Sequence, residues 1–379
     1  MADVVIVGDT FRCMELRHEI PLGVPDPFVY VEVGGDRHVY VSAMEATRLD
    51  ALGLDVTTHS LEEIGADELR AQGLAPWSFA LEWVARACVH AGVREALVPH
   101  GFPAGHLDRI RREGIALVVD QEHFDDRRRV KSGRELAGVR RAQKAAEAGM
   151  GTVVELLAAA TARNGALVLD GAELTVERVK REIGRAFDEH GCLSDDFIVA
   201  PGAQGAVGHE MGHGPIAPGQ PVVVDLWPRD RETACFADMT RTFVAGEPSD
   251  DVREWHRLSR ETLEISAAMI RPGVDCRSVY DAVCDVIEGA GYPTGRTKPE
   301  GEVLADGFFH GLGHGVGLDV HEQPYLGILP GGELVAGDVI TLEPGVYRSG
   351  VGGVRLEDLV LVTEDGCEVL TDFPYDLEV

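Results

Sequence analysis

The chain is short of basic residues, has no long apolar run and carries no closely spaced cysteines. Against 64 acidic side chains stand 35 basic ones, a formal net charge of −29. This balance argues against a nucleic-acid partner, because phosphate binding needs a basic footprint. A field of this sign attracts cations, including metal ions and the free amino group of a peptide, and it also serves plain solubility. The apolar runs, such as VVELLAAA from Val153, stop well short of the roughly 18 to 20 residues that a membrane span requires. The opening MADVVIVGDTFR has no basic region ahead of its short apolar run and no cleavage signal, so neither a membrane nor a secreted context is expected. The seven cysteines (13, 88, 192, 235, 276, 284 and 367) form no C-x-x-C pair. They suit free thiols in a reducing cytoplasm and lend no support to a disulfide or zinc–cysteine framework.

What is present is an ordinary globular composition over 379 residues, 45% apolar and 26% charged, with room for two or three domains. The first part alternates short apolar strands with helical patterns. FVYVEV and HVYVSA flank Gly-Gly-Asp as a hairpin, and EALVP and IALVVD bracket the helical stretch around HLDRIRREG. This predicts an α/β domain with a central sheet over residues 1–128. A charged stretch and a long amphipathic helix follow, with Leu136, Val139, Ala142 and Ala145 at helical spacing. The second part, 129–379, is expected to open with helices up to about residue 192. It continues as strands in DFIVAPG, PVVVDLW, MTRTFVAG, VITLEPGVY and VRLEDLVLV, with a helical pair over 252–271 and 275–291.

The chemistry-bearing residues gather in this second, α+β part. Asp225 ends the VVVD run and Asp238 stands thirteen positions later in FADMTRTF. FFHGLGHGVGLDVHE holds His310, His314 and His321, and Glu343 and Glu357 follow in VITLEPGVY and GVRLEDLVL. Singly, each has a bland reading: an aspartate at a strand end caps a turn, a glutamate before Pro-Gly is turn chemistry, and a histidine among glycines is hydrogen-bonded structure. Together, four carboxylates adjoin apolar strand sequence and must be buried near one another. Four buried negative charges repel, and a pair of divalent cations is the simplest neutraliser. Four carboxylates and one imidazole favour hard or borderline ions such as Mn²⁺, Co²⁺, Mg²⁺ or Zn²⁺.

The ordered set Asp225, Asp238, His314, Glu343 and Glu357 resembles the five-ligand dinuclear site of the pita-bread metallopeptidases, the group of methionine aminopeptidase, aminopeptidase P and Xaa-Pro dipeptidase (prolidase). VVVD, ADMTRTF, HGLGHGVGLDVHE, LEPGVY and GGVRLED look like that group's signature segments. The resemblance implies a curved antiparallel sheet covered by helices, and a pair of metal ions, Mn²⁺ first with Co²⁺ or Zn²⁺ as alternatives. A hydroxide bridging the two ions would attack the scissile carbonyl. Asp225 would bind one ion, Asp238 and Glu357 would bridge both, and His314 and Glu343 would bind the second. Glu343 would also carry the proton to the leaving nitrogen, His321 would stabilise the tetrahedral intermediate and His310 would contact substrate. Tyr347 and Arg355 resemble the supporting pair of aminopeptidase P. A further histidine of the family precedes the first aspartate; His209, sixteen positions before Asp225, is the candidate here and His213 the alternative.

A preceding domain is typical of the proline-directed members and of creatinase, and here the expected module is creatinase/prolidase-like, related in fold to ribonuclease H. The resemblance therefore implies hydrolysis of an Xaa-Pro bond in a dipeptide or at a peptide's free N-terminus, by a cytoplasmic homodimer. A creatinase-like C–N hydrolase without metal, or a non-catalytic binding protein of the same fold, are the alternatives; intact ligand positions argue against both. The sequence departs from the family at LWPRD after Asp225, where a glycine two positions on is usual.

Overall fold

Around Gly34-Gly35, whose φ angles of 60° and 96° are open to glycine at little cost, the strands Phe28–Val33 and Asp36–Val41 pair antiparallel as the alternation predicts. The computed structural model describes residues 2–379, which divide into two compact units between Arg128 and Arg129. In the first, six strands form one mixed sheet in the order Thr57–Ser60, Asp36–Val41, Phe28–Val33, Val4–Gly8, Glu95–Val98, Ala116–Val119. The last two run parallel, and the helix Ala104–Arg111 supplies the crossover that parallel neighbours need.

The second unit begins with the helix Gly133–Ala159. Ser132 and Glu135 close a capping box at its start, so two otherwise orphaned N–H groups are satisfied. Val139, Ala142 and Ala145 are fully buried along one face, while Leu136 is half-buried. The expectation of helices alone up to residue 192 is wrong at one place. Thr161–Arg163, Ala166–Leu169 and Ala172–Glu173 form a three-stranded meander before the helix Val176–Glu189. Its turns are Asn164-Gly165 and Asp170-Gly171, all four residues at positive φ, the signature of type I′ hairpins.

Three antiparallel sheets then frame the site. Ile198–Pro201, Val222–Leu226 and Met239–Phe243 form the first, with Asp225 opposite Ile198 on one side and Thr240 on the other. The second has five strands in the order Glu322–Leu326, Gly313–Gly315, Val339–Leu342, Asp358–Val362, Cys367–Val369. The third pairs Gly345–Arg348 with Gly352–Arg355. The helices Asp250–Met269 and Cys276–Gly289 cover the five-stranded sheet, burying Leu263, Val279 and Val283 in one cluster with Ile340, Leu342 and Val360. Each such fully buried aliphatic side chain contributes roughly 1.5–3 kcal/mol relative to exposure.

VITLEPGVY and VRLEDLVLV are not single strands. Each breaks, the first after Leu342 and the second after Arg355, and each resumes in a different sheet. Glu343 and Glu357 occupy those two breaks. Their amides bond to the Leu312 and Thr240 carbonyls at 2.7 and 3.0 Å, so both glutamates are fixed where three strand systems meet.

Candidate metal centre

Strand alternation sends Asp225 and Trp227 to one face, and the same period of two joins Asp238 to Thr240. Asp225, Trp227 and Asp238, with His209, His310, His314, His321, Glu343, Arg355 and Glu357, surround a cavity of about 440 Å³. Thr240 does not reach the cavity itself but donates to Glu357 Oε2 at 2.7 Å. Among the described residues, the tightest group of potential ligands is Asp238, His314 and Glu357, whose donor atoms lie within 4.8 Å of one another. Asp225 and Glu343 stand outside that group but line the same cavity.

His314 sits in the strand Gly313–Gly315, and its flanking glycines are a packing necessity. A Cβ on Gly313 would stand 2.0 Å from the Thr341 carbonyl oxygen, and one on Gly315 would stand 2.2 Å from that of Gln323. The His314 amide bonds to Thr341 Oγ1 at 3.1 Å, and ring Nδ1 lies 3.1 Å from the Gly315 carbonyl, which places the proton on Nδ1. The Nε2 lone pair is thereby left facing Asp238 Oδ2 at 3.8 Å and Glu343 Oε1 at 3.6 Å. Burial holds this imidazole neutral, its pKa pushed down to about 3.

Lone pair toward lone pair is an arrangement that a shared proton or a bound cation satisfies. The carboxylates repeat the pattern: Asp225 Oδ1 and Asp238 Oδ1 are buried and accept no hydrogen bond. Burial, then the charges of Glu357 and Asp225, pushes the Asp238 carboxyl well above its ordinary range. Glu357 is raised in the same way by burial, then by Glu343 and Asp225. Burial lifts Glu343 to about 8 against the opposing charge of Arg355. Hard oxygen donors, one neutral imidazole and orphaned lone pairs fit divalent ions.

One guanidinium organises the edge of this group. Arg355 donates to Asp225 Oδ2 at 2.5 Å, to the Tyr347 hydroxyl at 3.1 Å and to Thr240 Oγ1 at 3.2 Å. Tyr347 lies 2.9 Å from His310 Nε2, while His310 Nδ1 is 2.7 Å from the Gly311 carbonyl. The proton therefore sits on Nδ1, and a donor chain runs from Arg355 through Tyr347 to His310. Burial and the Arg355 charge lower the His310 pKa to about 3, so this ring too is neutral. The His321 ring stands edge-on to His314 at 4.2 Å between centroids, its pKa lowered by burial.

His209 lines the cavity, whereas His213 is exposed, with its backbone tied to the Gln204 side chain. Sequence reasoning overlooked Thr240, which the alternation in ADMTRTF places on the Asp238 face. It also overlooked the apolar wall of Ile198, Met211, Phe309 and Val320, whose distant sequence positions carry no local signal. Trp227, from the divergent LWPRD stretch, completes that wall.

The chain belongs to metallopeptidase family M24, which matches it over residues 137–364. Over 188 residues it is 37% identical to the probable dipeptidase PepE of Mycobacterium tuberculosis, covering 48% of this chain and 45% of that protein. It is 35% identical over 177 residues to the Xaa-Pro dipeptidase of Pyrococcus furiosus, covering 46% of this chain and 47% of that one. The chain thus spans about half the length of these curated relatives. The solved Xaa-Pro dipeptidase from Bacillus anthracis superposes with a TM-score of 0.79 at 21% identity, over 100% of this chain and 95% of the other. The fold is the two-domain pita-bread fold. No helix among the described residues is long and apolar enough to cross a membrane.

Proposed function

We propose that the chain hydrolyses an Xaa-Pro peptide bond, in a dipeptide or at a free peptide N-terminus, with two divalent ions held by Asp225, Asp238, His314, Glu343 and Glu357. The observation that carries this reading is the pair of buried, unpartnered carboxylate oxygens on one cavity, Asp225 Oδ1 and Asp238 Oδ1, with His314 Nε2 lying 3.8 Å from Asp238 Oδ2. Charge supports a pair of ions. Ionised as ligands must be, the four carboxylates against the single Arg355 guanidinium carry three net negative charges, more than one divalent ion neutralises. When bound, such ions polarise the scissile carbonyl and render water nucleophilic at neutral pH.

The chain's own groups then divide the remaining work. Glu343 takes the proton from the attacking water and returns it to the leaving nitrogen. His321, at the cavity edge beside His314, donates to the carbonyl oxygen as charge develops on it. His310, held neutral with its tautomer set by Gly311 and Tyr347, contacts the substrate, and His209 faces it from the opposite loop. Arg355 and Tyr347 keep Asp225 oriented rather than reacting themselves.

Residues 1–128 serve in this reading as a creatinase/prolidase-like N-terminal domain and 129–379 as the catalytic one. The enzyme acts as a cytoplasmic homodimer, with Mn²⁺ as its working ion and Co²⁺ or Zn²⁺ as substitutes. The test is to strip the protein with chelator, restore Mn²⁺ or Co²⁺, and assay Xaa-Pro dipeptides beside longer Xaa-Pro peptides. Metal-dependent cleavage of one class is expected; cleavage of neither overturns the reading.

A further inference from the structure

The first three residues of the second unit reach two loops of the candidate site. Arg129 donates from Nε and Nη2 to the two oxygens of Asp338 at 3.0 and 2.7 Å. Asp338, fully buried, also accepts the Val335 amide at 2.8 Å and directly precedes the strand Val339–Leu342 that delivers Glu343. Val130 packs against Gly337, where a Cβ would stand 2.9 Å from Val130 Cγ1. Lys131, its side chain 3% exposed, donates from Nζ to Glu322 Oε1 at 2.5 Å and to the Arg129 carbonyl at 2.9 Å.

Glu322 directly follows His321 and opens the strand Glu322–Leu326. The turn before it is closed on the same ion pair. A Cβ on Gly317 would lie 2.6 Å from Glu322 Oε1 and 2.8 Å from Lys131 Cε, and the Gly317 carbonyl accepts the Phe236 amide at 2.8 Å, two residues ahead of Asp238. A buried ammonium–carboxylate pair is a poor source of net stability but a strong constraint on geometry, because either partner alone is costly in that place.

We propose that Lys131 is a positioning residue: through Glu322 it fixes the 317–322 turn and so sets the His321 ring beside His314. Lys131 is not among the residues that line the cavity. The catalytic consequence rests on the role of His321 proposed above; the geometric one does not.

The test has two arms. In metal-free protein, Lys131→Met should speed hydrogen exchange of the 317–322 amides relative to the rest of the unit, a readout independent of activity. In the metal-loaded enzyme the same variant should lower kcat on an Xaa-Pro substrate by about tenfold or more, the scale that a misplaced catalytic group costs, with KM and metal content unchanged. Because Lys131→Met leaves Glu322 without its ammonium, the double variant Lys131→Met/Glu322→Gln guards against simple misfolding. It should be as slow as the single variant and no slower. Unchanged exchange at 317–322, an unchanged kcat, or losses that add in the double variant would each overturn the proposal. If the unaltered chain cleaves no Xaa-Pro bond, the functional reading fails separately, and the exchange arm still decides whether Lys131 holds the turn.

Discussion

Arg355 and Asp225, 130 positions apart, meet at 2.5 Å, with side chains only 6% and 14% exposed. The same guanidinium holds Tyr347 and Thr240, and Thr240 in turn holds Glu357. One cation thus orients two of the candidate metal ligands, one directly and one through a hydroxyl.

Arg355→Lys keeps the charge but loses the planar fork that reaches three partners at once. The expected outcome is a metal affinity weaker by roughly 10- to 100-fold, as for other groups that orient ligands. Calorimetric Mn²⁺ titration checks this; unchanged affinity would assign Arg355 a purely electrostatic part.

Asp238→Asn removes one charge from a crowded buried group. Without metal, the variant should be more stable than the parent by on the order of 1 kcal/mol, since repulsion is relieved. With saturating Mn²⁺ the order reverses: at a hundredfold excess over Kd the parent gains about 2.7 kcal/mol, and the variant, deprived of a ligand, gains little. Thermal unfolding with and without Mn²⁺ reads both.

Glu343, raised to about 8 by burial, binds its proton in the folded metal-free chain at pH values where the unfolded chain has lost it. Between the ordinary carboxyl range and pH 8 the folded state therefore holds more protons, and stability falls as pH rises. Below that window the contribution is fully present; above about 8 it is gone. Denaturant unfolding in chelator should show the midpoint dropping from pH 5 to pH 8, and added Mn²⁺ should flatten the slope. A midpoint that rises over this range would contradict the assignment.

His321→Ala should leave metal content intact while slowing turnover by about 10²-fold, the cost of losing a donor to developing oxyanion charge. Tyr347→Phe should be milder, because Arg355 keeps its bonds to Asp225 and Thr240 while the hydroxyl's links to Arg355 and His310 are lost. Steady-state kinetics beside metal analysis separate the two; loss of metal in His321→Ala would make it a ligand-supporting residue instead.

Much of the site was legible in the sequence because its carboxylates interrupt apolar strands, and a charge in such a place demands an explanation. VVVD and VITLEP carry that signal on their own. The break at Glu343 is marked by the Pro344-Gly345 that follows it, whereas the one at Glu357 was not legible, since a strand that leaves one sheet for another has the same alternation as one that continues. The meander at 161–173 was legible and missed: Asn164-Gly165 and Asp170-Gly171 are hairpin turns in plain view, set in a segment read as helical. Lys131 and Glu322 were beyond reach, because a lysine and a glutamate 191 positions apart show no sign of pairing until the fold brings them together.

The most direct measurement of the central claim is metal content against activity on one preparation: graded Mn²⁺ added to chelator-stripped protein, with bound metal counted by mass spectrometry and Xaa-Pro cleavage assayed at each point. The account predicts no activity without metal, a rise with occupancy and saturation near two ions per chain. Full activity in metal-free protein, or saturated binding with no Xaa-Pro cleavage, would contradict it.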